Sequence, residues 1–175
     1  CDSIGVEEFL QMVLTEIISV RDGPRVPEEF YHALLLGLTV GCDLEAYKIT
    51  SNREDSGYGY HDIMVIPKDE NKLAVVIEVK SLTEIPKKES AIIAGLERKA
   101  NEAFKQIDEK DYVAAARTAG IKQVFRIGIA FAGKRFKIKS SVGSSKRIIP
   151  VTPTKKVSVK SKTKTGVPQK KRTSA

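Results

Sequence analysis

No acidic residue follows Asp111. All 22 Asp and Glu lie at or before it, where 13 Lys and Arg leave a net −9, whereas residues 112 to 175 carry 17 Lys and Arg and no acid. A chain divided in this way points to a polyanionic partner. Cysteine is scarce as well: Cys1 and Cys42 have no CxxC neighbour, so neither a metal knuckle nor a disulfide framework is expected, and reduced thiols in the cytoplasm or nucleus are the simpler reading. No apolar run approaches the roughly 18 residues of a membrane span, and no basic and then apolar leader opens the chain. The expectation is an intracellular protein that does not enter the membrane. A chain that starts at Cys1 without methionine also suggests a piece of something longer. There is no internal repeat and no glycine-rich phosphate loop. What remains is 175 residues with 41% hydrophobic and 30% charged side chains, enough for one domain with a real core and too little for two.

Hydrophobic spacing divides the chain into elements. Ile4, Val6, Phe9, Leu10, Val13, Leu14, Ile17 and Ile18 recur at helical intervals and predict a helix over about 4 to 20, stopped by Asp22-Gly23-Pro24. Pro27 suits a first helical turn, and Phe30, Tyr31, Leu34, Leu35 and Leu38 carry a second helix to Gly41, which makes a helical hairpin over 4 to 41. Ala46 to Thr50, Asp62 to Ile66 and Leu73 to Lys80 read as three strands of a β-meander. A long helix from Glu89 to Lys110 and a short one from Asp111 to Ala119 follow, then strands Val124 to Phe131 and Arg135 to Ile138. The order is ααβββααββ, an α/β domain over 1 to 139. From 140 to 175 Ser, Thr, Lys and Pro dominate, with ten Lys and Arg, and a disordered basic tail is expected.

Alternate residues of a strand share a face, so in Ile77-Glu78-Val79-Lys80 the apolar pair can enter the core while Glu78 and Lys80 meet on the other side. A carboxylate there can bind a hard divalent cation, and an ammonium beside it can activate a water or stabilise charge on phosphorus. Asp62, fifteen intervening residues upstream, begins the preceding strand and can lie next to Glu78 if the two pair as a hairpin. Taken alone, an ExK strand is most often a solvated ion pair. His32 on an apolar helix face reads as a hydrogen-bonded core histidine, and His61 beside Asp62 as a group near the site or a side chain off the opposite face.

Several blocks together resemble one family: Glu28-Glu29-Phe30-Tyr31-His32, Leu34 to Leu38, Ser51-Asn52-Arg53-Glu54, Gly57-Tyr58-Gly59 up to Asp62, Glu78-Val79-Lys80, Ala103 to Tyr112, and Ile127 to Phe131 with Gly133-Lys134. Over about residues 28 to 136 the chain resembles the PD-(D/E)XK nucleases, in particular the nuclease-like domain often found C-terminal to an AAA-type ATPase-like domain. The resemblance implies a restriction-endonuclease-like core with a mixed central sheet flanked by helices, and an ATPase-like domain upstream. It implies Asp62 and Glu78 as ligands of Mg²⁺, with Mn²⁺ as the alternative. It further implies Lys80 as the water-activating or charge-stabilising lysine, Gln106 as a polar helper from the following helix, and Glu28 as the acid of the first family helix. Glu29 is about 100° further round the helix, so only one of the two can face the site, and Glu28 is preferred. Two places depart from the family: Tyr60 stands where an arginine is common, and the segment Glu54-Asp55-Ser56-Gly57 is one residue longer than usual.

The expected function is metal-dependent hydrolysis of nucleic-acid phosphodiesters, DNA before RNA, by a metal-activated water. The alternative is a nuclease fold without turnover that serves as a nucleic-acid-binding or interaction module of a larger ATPase-like protein. In either case Arg53, Lys134, Lys155, Lys156, Lys170, Lys171 and Arg172 are the candidate phosphate contacts, which add affinity without base information. Lys170-Lys171-Arg172 also fits part of a nuclear import signal.

Overall fold

The computed structural model describes residues 3–17, 27–41, 43–53 and 60–145. Helix α1 (Ser3–Met12) passes into a π-helical turn at Val13–Ile17, and α2 (Glu28–Val40) follows. Strands β1 (Tyr47–Arg53), β2 (His61–Pro67) and β3 (Ala74–Ser81) come next. They are followed by α3 (Glu89–Glu109), a short α4 (Ala114–Thr118), and strands β4 (Gln123–Ala132) and β5 (Arg135–Ser144). The expected order ααβββααββ therefore holds, in a mixed α/β fold.

The five strands form one sheet in the order β1-β2-β3-β4-β5. β1, β2 and β3 are a meander of antiparallel neighbours. β3 and β4 run parallel, because α3 carries the chain back across the sheet between them, and β5 returns antiparallel along β4. Gly133, at φ 63° in the β4–β5 turn, adopts a backbone conformation that a side chain would resist.

Burial on both faces explains the near-continuous apolar runs of β3 and β4. On one face Ile63, Val65, Ile77, Val79, Phe125, Ile127 and Ile129 pack under Leu10, Leu14, Tyr31 and Leu35 of the N-terminal helices. On the other, Met64, Val76 and Val124 pack with Ile107 and Tyr112, and Ala130 and Ala132 meet Ile92, Leu96 and Ala100 of α3. Tyr31 stacks flat on Phe131 at 4.3 Å and donates its hydroxyl to the Gly133 carbonyl, so α2 is tied to the turn beyond β4.

Three expectations are corrected in detail. The first helix loses α-helical spacing at Val13, and the wider turn presents the consecutive Val13 and Leu14 both to the core. Phe9, placed on its apolar face, is half exposed at the rim of an apolar groove of about 430 Å³ between α1 and α2. Lastly, β5 runs six residues beyond Ile138: Ser140, Ser141, Val142, Gly143 and Ser144 pair with Ile127 back to Gln123. An edge strand needs few apolar side chains, so its serines concealed it from a hydrophobic pattern. Residues 140 to 144, expected to open the disordered tail that runs to 175, are therefore strand instead; residues 1–2, 18–26, 42, 54–59 and 146–175, and with them the rest of the expected disorder, lie outside the described residues.

Candidate metal centre

The paired register of β2 and β3 ends at Ile63↔Ile77. One step further sets Asp62 opposite Glu78, and here side chains take over from the ladder. The Val79 N–H donates to Asp62 Oδ2 at 2.7 Å, and the Ser81 N–H donates to Glu28 Oε2 at 2.8 Å. Two backbone donors of β3 that a longer ladder would have used therefore hold two carboxylates at the open end of the hairpin.

Glu78, beside Asp62, is almost completely buried. Its Oε1 accepts a hydrogen bond from Lys80 Nζ at 2.8 Å and another from Gln106 Nε2, which reaches down from α3. The same Gln106 nitrogen donates to the Tyr112 hydroxyl at 3.0 Å. Glu78 Oε2, by contrast, is buried with no hydrogen-bond partner among the described residues. Burial, and then the negative charge of Asp62, push the Glu78 carboxyl up to about 7, against the lowering effects of Lys80 and of the Asp62 backbone N–H. Burial by itself would lower the Lys80 ammonium, but the hydrogen bond and charge of Glu78 and the charges of Glu28 and Asp62 outweigh it, so its pKa is raised. Lys80 therefore stands protonated, 3.9 Å from Glu28 Oε1, and suits the stabilising of negative charge better than the taking of a proton.

Asp62, Glu78, Lys80, Gln106 and Glu28 are thus brought together from β2, β3, α3 and α2. Glu29, one step along α2 from Glu28, is exposed. Lys134 is placed elsewhere: it donates to the Thr15 carbonyl at 3.2 Å. Arg53 ends β1, but its side chain lies outside the described residues, as do Lys155, Lys156, Lys170, Lys171 and Arg172. His61 is fully buried, with its Nε2 3.0 Å from Thr50 Oγ1 and its ring edge-on to Tyr112. Tyr112 was not singled out for the site from the sequence. It reaches Gln106 because Asp111, at φ 49°, turns the chain back after α3, and nothing in a residue pattern signals that turn.

Comparison with known families gives one match. A family model of the PD-(D/E)XK nuclease superfamily matches residues 26–141, about two thirds of the chain. The chain belongs to the PD-(D/E)XK nuclease superfamily. No curated protein and no solved structure gives a significant match.

Nucleases of this superfamily generally use divalent metal ions, and the fit to such an ion can be judged from the donors. Among the described residues no three His, Cys, Asp or Glu side chains gather into a ready-made cage. Mg²⁺ does not require one, since it keeps several waters and is commonly held by one or two carboxylates plus substrate phosphate. A buried carboxylate oxygen without a donor, next to a second carboxylate, is a charge arrangement that a cation would complete. The residues fit the ion.

Proposed function

We propose that this PD-(D/E)XK domain hydrolyses phosphodiester bonds of nucleic acid, DNA in the first instance, with Mg²⁺ or Mn²⁺ held by Asp62 and Glu78. The observation that carries the reading is the buried Glu78 Oε2, with no partner among the described residues, beside Asp62 and a protonated Lys80. A divalent ion bound there supplies a water of lowered pKa and polarises a phosphoryl oxygen. The protein's own groups do the rest. Gln106 and Lys80 fix the rotamer of Glu78 from two sides, leaving Oε2 as the free ligand atom. The Val79 N–H aims the Asp62 carboxylate. Lys80 brings its positive charge to the phosphate oxygens as charge builds on them, and Glu28 secures the end of β3 and draws Lys80 towards the open side.

Calorimetric titration of Mn²⁺ into the wild type, Asp62→Ala and Glu78→Ala, followed by cleavage of plasmid and single-stranded DNA, tests this. Both variants are expected to lose metal binding and cleavage together while keeping a cooperative unfolding transition. Undiminished cleavage by Glu78→Ala would exclude the site. A second reading has one observation in its favour: Tyr60, exposed just before the metal end of β2, takes the place of a cation common in the family. If the wild type binds DNA without turnover whatever the metal, the domain is a binding module that retains the fold.

A further inference from the structure

Helix α2 reaches the open end of the sheet with two side chains one turn apart. Glu28 takes the Ser81 N–H of β3. His32, four residues on and therefore on the same side of the helix, lies with Nε2 3.1 Å from the carbonyl oxygen of Asp62 on β2 and 2.8 Å from Ser51 Oγ on β1. One helix thereby grips three adjacent strands at the level where the β2–β3 ladder stops.

The partners decide the state of the ring. A carbonyl oxygen can only accept, so a hydrogen bond between Nε2 and the Asp62 carbonyl requires the proton on Nε2. Ser51 Oγ can then share that proton or send its own hydroxyl hydrogen elsewhere. The bonded carbonyl belongs to the same residue whose carboxylate accepts from Val79 N–H. The β2–β3 ladder stops at Ile63↔Ile77, one residue short of Asp62, whose N–H faces the Glu78 carboxylate rather than a backbone carbonyl of β3. Its carboxylate and its carbonyl are instead held from two directions, by β3 and by α2.

We propose that His32 is a positioning residue of the metal centre: its Nε2–H bond to the Asp62 carbonyl sets the backbone from which the Asp62 carboxylate is aimed. This rests on the metal-binding reading above and assigns a further residue to that centre. A group that orients a ligand, without touching the ion, typically changes metal affinity by about ten- to a hundredfold.

The test uses the full chain with His32→Ala, His32→Gln, whose amide can donate in place of Nε2, and Ser51→Ala, which leaves the ring intact. Two quantities are read: Mn²⁺ affinity by calorimetry, and hydrogen exchange of the Val79 amide in EDTA. His32→Ala is expected to weaken Mn²⁺ binding by at least about tenfold and to speed Val79 exchange, His32→Gln to recover most of both, and Ser51→Ala to stay near the wild type. Wild-type exchange at Val79 in His32→Ala overturns the proposal, and so does equal impairment of His32→Ala and His32→Gln, which would mark the ring as mere packing. The exchange measurement contains no metal, so it decides the role of His32 even where a wild type that takes up no Mn²⁺ overturns the metal reading itself.

Discussion

At the scale of single residues the centre is a conflict concentrated on Glu78. In the unfolded chain its carboxyl ionises near the ordinary value of 4.5, and folding raises it to about 7 because the group is buried beside Asp62. The folded state therefore holds the proton more tightly than the unfolded state. Stability from this group is fully present below about pH 4.5 and is lost as the pH rises through 7, on the order of 3 kcal/mol in total. Denaturant unfolding of the metal-free domain in EDTA between pH 4.5 and 8.5 should show this decline, and Glu78→Gln should flatten it. Metal uptake has the opposite sign, because the ligand must lose its proton: below pH 7, Mn²⁺ affinity should fall by up to about tenfold per pH unit. Calorimetry across the same range checks this, and a flat affinity would mean that Glu78 is not a ligand. Alternation along the strand already placed Glu78 and Lys80 on one face with Asp62 near them. Glu78's burial was not legible, because it depends on Gln106 descending from a helix 28 residues away. Nor was the part of His32 at the Asp62 carbonyl, since an isolated histidine on an apolar helix face looks the same whatever it bonds.

At the scale of elements, the position of α3 decides whether Gln106 reaches Glu78 at all. In the parallel pairing of β3 with β4, Gly128 stands beside Glu78. A Cβ added to Gly128 would come within 2.4 Å of the Phe104 nitrogen and 2.6 Å of the Ala100 carbonyl oxygen, both backbone atoms of α3. Backbone cannot swing aside as a flexible side chain can, so Gly128→Ala must lift the helix or bend the strand. Overpacking of this kind costs about 1–3 kcal/mol or more, and the upper end is expected here. A thermal melt should show the loss, and DNA cleavage should drop beyond it, because a lifted helix withdraws Gln106 from Glu78. A melt within error of the wild type would mean that the α3–β4 contact is looser than described. Helix α3 itself was legible from its long run without proline, as were the second and third meander strands from their Val and Ile content. The glycine's purpose was not, because close approach of two backbones leaves no periodic trace. The second half of β5 escaped for a related reason: Ser140 to Ser144 are held by pairing with β4 and by Arg126, which donates to the Ser144 carbonyl at 2.6 Å, rather than by apolar burial.

At the scale of the whole molecule, charge and geometry are separated. Ten of the 30 Lys and Arg lie beyond Ser145, so the preceding 145 residues, with 20 basic and 22 acidic side chains, carry a net −2. A body of that charge has little general attraction for a polyanion, and the chain leaves it at the wrong end for direct help. Ser144 pairs with Gln123, five residues along β4 from the Gly128 level at which Glu78 sits, or about 17 Å at the usual rise of a strand. Thirty residues are long enough to return across that distance. Each phosphate neutralised by a lysine or arginine releases counterions and steepens the dependence of affinity on salt by about 0.9 in the log–log slope. Truncation after Ser145 should therefore weaken DNA binding at low salt and flatten that slope by several units, while metal affinity at Asp62 and Glu78 stays as it was. Fluorescence anisotropy with a labelled duplex over a salt series measures the first, and calorimetry the second. An unchanged slope would place the phosphate contacts on the folded body, among cations such as Lys80 and Lys134.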